Sequence, residues 1–173
     1  MNKKDLEMTD SNEGKYVRPS WDEYFIEVME AVAKRATCDR GRSGCVIARN
    51  NMILVTGYVG SPIGLPHCDD VGHLMKKTTH EDGHVSEHCT RTVHAEMNAI
   101  CQAARNGIAL DGATLYCRMT PCRTCCMSII NAGIKRVVVQ KHYHAGEESV
   151  EMFRDAGVHY ERMSDEIEPY KNQ

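Results

Sequence analysis

The sequence predicts an α/β protein of three layers, α/β/α, on a five-stranded mixed sheet whose last three strands are parallel. Three observations carry that prediction. A capped amphipathic helix precedes two short apolar runs separated by Asn50-Asn51. From Val93 onward, helical and extended patterns alternate three times, and strands joined through helices run parallel with right-handed crossovers. Ile134 to Gln140 is almost continuously apolar, as a strand covered on both faces requires.

Residues 1–19 are polar and charged without period and read as a flexible N-terminal tail; one domain spans 20–163, and 164–173 form a C-terminal tail. Ser20-Trp21-Asp22-Glu23 is a capping box, in which the serine hydroxyl accepts an orphan backbone N–H and the glutamate reaches back to the cap. Phe25, Val28, Met29, Val32 and Ala36 recur at helical spacing and form the buried face of the first helix. Cys45 to Ala48 and Met52 to Thr56 flank Asn50-Asn51 as a hairpin. Val93 to Arg105 reads as a helix closed by Gly107, and Ala113 to Met119 as a strand. Pro121 suits a first helical position, and that helix runs to Gly133. The strand Ile134 to Gln140, a helix Glu147 to Ala156 closed by Gly157, and a strand Val158 to Met163 complete the domain.

Composition narrows the function classes. The net charge is −3 and the basic residues are scattered, so neither a nucleic-acid duplex nor a membrane surface is expected as partner. A small anionic substrate in a local pocket remains open. No apolar run is long enough to span a bilayer, and Met1 to Asp5 lead into polar sequence without a signal-peptide core, which predicts a cytoplasmic protein. In that compartment the nine cysteines read as metal ligands and buried thiols, with Cys101, Cys117 and Cys126 among the latter.

Two motifs carry the chemistry: His94-Ala95-Glu96 and, further on, Pro121-Cys122-Arg123-Thr124-Cys125. One imidazole and two thiolates suit Zn2+, and three protein ligands leave a fourth position for water. Cys122 and Cys125 fall at i and i+3 on one helix face, and both helix N-termini are expected to point at one spot, favouring thiolate with their partial positive charge. Glu96, two residues past the histidine, is placed to carry the proton of an activated water without binding the metal. Either motif alone is weak, whereas the pair matches the signature of zinc nucleobase deaminases. The competing reading is a pair of helix-start cysteines and a histidine with no metal.

Val59 to Thr92 fits a compact domain least, having few apolar residues and no clear secondary structure. It is crowded with possible ligands: His67, Cys68, His73, His80, His84, His88 and Cys89. With Cys38 upstream, this predicts a second, structural Zn2+ held by Cys38, Cys68 and Cys89 with one histidine. His88 is the first choice; adjacency to Cys89 strains joint chelation, so His84 or His67 could replace it.

On these residues the sequence resembles the deoxycytidylate deaminase family of the zinc deaminase superfamily, especially a bacterial and phage branch that includes late-competence proteins. The resemblance spans Trp21 to Met163. It rests on Thr37-Cys38, Gly57-Tyr58-Val59-Gly60-Ser61-Pro62, His94-Ala95-Glu96-Met97-Asn98-Ala99-Ile100, Pro121-Cys122 with Cys125, and Asn131-Ala132-Gly133-Ile134-Lys135. It implies a cytidine-deaminase-like fold and deamination of dCMP to dUMP, feeding thymidylate synthesis. It also implies a homohexamer raised in activity by dCTP, with Mg2+ accompanying that effector, and lowered by dTTP. By the same likeness Tyr143 contacts nucleotide, Arg105 lies near the substrate and effector region, and a second zinc draws on Cys38 and Cys68. Lys141 and His142 are further candidates for the phosphate. The family has asparagine where this chain has Val59, which removes a side-chain hydrogen bond to nucleotide. Two other readings stand beside this one: a deaminase of another base, such as one in tRNA, and a non-catalytic zinc protein that binds nucleotide or serves DNA uptake.

Overall fold

The computed structural model of the chain describes residues 16–79, 83, 85–143 and 146–168. The main sheet has the strand order β2-β1-β5-β6-β7, from Gly44–Arg49 (β1), Met52–Tyr58 (β2), Thr114–Met119 (β5), Arg136–Tyr143 (β6) and His159–Arg162 (β7). β1 is antiparallel to both β2 and β5, while β5, β6 and β7 are parallel. Asn50 and Asn51 both have positive φ, the requirement of the tight hairpin turn that matches strand twist.

Alternation along the strands sorts the two faces. Val46, Ala48, Tyr116 and Val138 pack with Phe25, Ile26 and Met29 of α1 (Trp21–Ala33). Cys45, Ile47, Leu115, Cys117, Val137 and Val139 point the other way, against α3 (Ala95–Arg105), α4 (Arg123–Asn131) and α5 (Glu147–Asp155) through Ala95, Ala99, Ile129 and Phe153. This period of two gives the three layers. The Ser20 capping box is complete, with Glu23 N–H donating to Ser20 Oγ and Ser20 N–H to the Glu23 carboxylate. α1 ends at Ala33, so Ala36 is buried in the turn that follows it and not on the helix.

Two segments differ from expectation. The stretch 59–92 is not structureless: it holds the short helix α2 (Cys68–Val71) and a two-stranded hairpin, β3 (Met75–Thr79) with β4 (Val85–Cys89). His80 and His84 lie outside the described residues. Past Ser164, where a tail is expected, Ile167–Glu168 form β8, which pairs with His142 and Tyr143 beyond the end of β7. Residues 1–15 and 169–173 of the expected tails lie outside the described residues. Among the described residues no helix is long and apolar enough to cross a membrane. Cys117 and Cys126 are buried as expected, but Cys101 is exposed on α3.

Candidate active site

His94 is the N-cap of α3 and Cys122 the N-cap of α4, and neither side chain caps its own helix. Instead they turn to each other. Pro121 precedes the cap and does not occupy the first helical position. Cys125 is then the third residue of α4, and N-cap and N3 side chains meet over a helix start as they do in a capping box, which explains the two-residue spacer. Both helix N-termini lend partial positive charge to this spot.

His94 Nδ1 lies 3.5 Å from Cys122 Sγ and 3.5 Å from Cys125 Sγ. A tetrahedral zinc, with bonds of about 2.3 Å to sulfur and about 2.0 Å to nitrogen, holds such S and N atoms about 3.5 Å apart. The three atoms therefore fit that ion. Glu96 stands beside them, its Oε2 3.9 Å from Cys125 Sγ, yet outside the group whose ligand atoms converge. At 7% exposure the carboxyl is pushed above its ordinary range by burial, with the His94 charge opposing. The Cys122 thiol is held well below its ordinary value, first by a hydrogen bond with Cys125 and then by His94, while the same bond pushes the Cys125 thiol up, so Cys122 is the one of the pair that favours thiolate.

Two features seat α3 against the sheet. Gly57 on β2 has no room for a side chain, since a Cβ there would lie 2.3 Å from the Ala95 carbonyl. The Asn98 amide donates to the Tyr58 carbonyl at 2.8 Å, fixing the chain where it leaves β2 for Val59.

A cavity of about 210 Å³ opens over these groups, with His94, Glu96, Cys122, Tyr143 and Val59 in its wall. Arg40, His88 and Thr120 also line it. Arg40 carries no periodicity or motif signal in the sequence, sitting in the 3-10 turn Asp39–Gly41 after Cys38. Thr120 is buried, bonds Tyr160 Oη at 2.8 Å and accepts the Tyr143 N–H at 3.4 Å, so it anchors the strand end that carries Tyr143. Arg105 is not part of the cavity. It ends α3, ten residues beyond Ala95 and so roughly 15 Å along the helix axis from the His94 end. Lys141 pairs with Glu166 and His142 with Glu147, and neither lines the cavity.

A second group converges nearby: Cys38, Cys68, His73 and Cys89 bring one ligand atom each to within 4.8 Å of one another. Cys38 Sγ is 3.6 Å from His73 Nδ1, and Cys68 Sγ 3.6 Å from Cys89 Sγ. The other nitrogen of His73 meets the Asp39 carboxylate at 3.0 Å, the outer partner that orients a ligand histidine. His73, and not His88, completes this set. Neighbours on a strand face opposite ways, so once Cys89 at the end of β4 turns to the cluster, His88 turns away and is exposed. His67 caps α2 and is not in the group either.

A buried acid held beside three metal ligands, but kept out of the ligand set, defines the zinc deaminases as a class. The sequence comparison agrees: the family described as the cytidine and deoxycytidylate deaminase zinc-binding region matches residues 19–141, and the chain belongs to that family. ComE operon protein 2 of Bacillus subtilis is 41% identical over 146 residues, covering 84% of this chain and 72% of the relative. A deoxycytidylate deaminase of Schizosaccharomyces pombe is 38% identical over 141 residues, covering 82% of this chain but 43% of that longer protein. Among solved structures, the dCMP deaminase of cyanophage S-TIM5 in complex with dCMP and dUMP superposes with a TM-score of 0.68 at 27% identity, covering 86% of this chain and 100% of the phage chain.

Proposed function

We propose that this chain deaminates dCMP to dUMP by hydrolysis, with His94, Cys122 and Cys125 holding a catalytic zinc and Glu96 moving the protons. The observation that carries this reading is the enclosed Glu96 carboxylate beside three ligand atoms at zinc spacing. Zinc held there by His94, Cys122 and Cys125 would supply a water acidified enough to attack near neutral pH. Glu96 takes a proton from that water and gives it to N3 of the cytosine as C4 is attacked. It then relays the second proton to the departing amino group, so that water and the C4–NH2 become a carbonyl and ammonia. Burial favours the protonated carboxyl, which suits the acid half of that cycle. Arg40 and His88 supply polar and cationic groups in the cavity wall for the phosphate, and Tyr143 a phenol for the nucleotide. Arg105 does not line this cavity, which weighs against a substrate role within its own chain.

The reading extends to a second, structural zinc on Cys38, Cys68, His73 and Cys89, supported by the convergence of those four atoms and the Asp39 partner. Family resemblance supports a homohexamer activated by dCTP, with Mg2+ accompanying that effector, and inhibited by dTTP. The location we propose is cytoplasmic, and among the described residues no helix is long and apolar enough to cross a membrane. Val59, in the cavity wall without a polar side chain, weighs against unchanged regulation. Ammonia release from dCMP, dCTP, deoxycytidine, cytidine and a tRNA substrate, with dCTP added as effector to those other than dCTP itself, tests the substrate and effector assignments. The expected result is turnover of dCMP above the rest. Preference for a nucleoside or for tRNA, or binding of dCMP without turnover, would overturn it.

A further inference from the structure

We propose that Cys38, Cys68, His73 and Cys89, gathered on zinc, are positioning residues for the substrate: they fix the cavity wall formed by the 38–43 turn and the end of β4, and thereby set nucleotide affinity. The inference rests on the second-zinc reading and on the assignment of the cavity to the nucleotide.

The β3–β4 hairpin is a sheet of its own, and of its described side chains only Ser86 is buried. A two-stranded hairpin without an apolar face is marginal in water. Among the described residues, polar and local ties join it to the domain beside the packing of Cys89 on the core. Arg40 donates to the Glu87 carbonyl at 3.2 Å, Arg91 Nε to the Gly72 carbonyl at 3.0 Å, and Cys89 meets Cys68 in the cluster. An ion held by the cluster would add a strong tie to this segment, since it would join four residues from the turn after α1, from α2, from the loop that follows it and from β4.

That tie reaches the cavity directly. Cys38 and Cys89 lie in its wall, and each has a neighbour there that can meet a phosphate: Arg40 two residues after Cys38, and His88 next to Cys89. His94, Glu96 and Cys122 are held separately, on the N-termini of α3 and α4, which are packed into the core through Ala95, Ala99 and Cys125. Release of the second zinc should then free the wall that receives the nucleotide and leave the reacting groups in place.

The test uses the full chain carrying His73→Ala, with His73→Cys as the conservative variant that keeps four ligands. Four readouts are compared: zinc per chain by mass spectrometry, kcat and KM for dCMP, dUMP binding by calorimetry, and amide hydrogen exchange across 85–92. Wild type should hold two zincs and His73→Ala one. In His73→Ala, KM for dCMP and Kd for dUMP should rise roughly 10-fold or more while kcat stays within about two-fold, because misplacement acts on binding here and not on the chemical step. Exchange across 85–92 should quicken, and His73→Cys should restore every value. Loss of one zinc with unchanged dUMP affinity and unchanged exchange overturns the proposal, as does a collapse of kcat with KM intact. A wild type holding one zinc overturns it through the second-site reading. Zinc content and exchange do not depend on turnover, so a failure of the dCMP reading shows separately, in the substrate panel.

Discussion

Cys89 and His88 show how one step along a strand divides two duties. Both line the cavity, but only Cys89 joins the cluster, meeting Cys68 at 3.6 Å, while the exposed His88 stays out of it. His88→Ala should accordingly leave zinc content unchanged, while Cys89→Ser should lower it by one ion per chain. Equal zinc loss in both variants would contradict the alternation. This residue also marks where the sequence stops being informative. His94, Glu96, Cys122 and Cys125 are legible because each pair lies within one helix start, where short spacing fixes geometry. His73 meets Cys38 only because a glycine-ended helix and a loop bring it back, a non-local contact that spacing cannot encode. Arg40 is silent for the same reason.

At the scale of elements, α1 is bound to the sheet by an ion-pair network as well as by Phe25 and Met29. Arg136 on β6 bridges Asp22 on α1 and Glu161 on β7, and Tyr116 on β5 donates to Asp22 at 2.8 Å. Hydrogen bonding from Arg136 holds both carboxyls below their ordinary values of 3.8 and 4.5. A depressed folded-state value contributes stability that is fully present above the unfolded-state value and is lost as pH falls through the folded one. Asp22→Asn should therefore cost about 1 kcal/mol at pH 7, an amount discounted for partial exposure, and the gap to wild type should narrow as pH falls below the ordinary value of 3.8 toward the lower folded one. Urea midpoints of both proteins at pH 7 and pH 3 check this, and a gap as wide at pH 3 as at pH 7 would contradict it. The core elements were readable because burial imposes a period of two or of 3.6 on them. The β3–β4 hairpin was not, because Met-Lys-Lys-Thr-Thr and Val-Ser-Glu-His-Cys bury almost nothing and so carry no such period.

Over the whole molecule, three layers serve to aim two helix starts at one point. The order β2-β1-β5-β6-β7 places α3 and α4 on one face, with His94 and Cys122 at their N-termini. Alternating helix and strand patterns conveyed that architecture, because parallel strands joined by helices leave little topological choice. They did not convey the position of Arg105, whose distance from the cavity follows from the length of α3. The central claim is that Glu96 moves protons for a zinc-dependent deamination without holding the metal. Steady-state dCMP turnover and zinc content of Glu96→Gln, measured on one preparation beside wild type, test it most directly. Zinc content should be equal and turnover should fall by about 10²- to 10⁴-fold, the scale of a lost general acid and base. Turnover near the wild-type rate, or loss of zinc along with the carboxylate, would contradict the account.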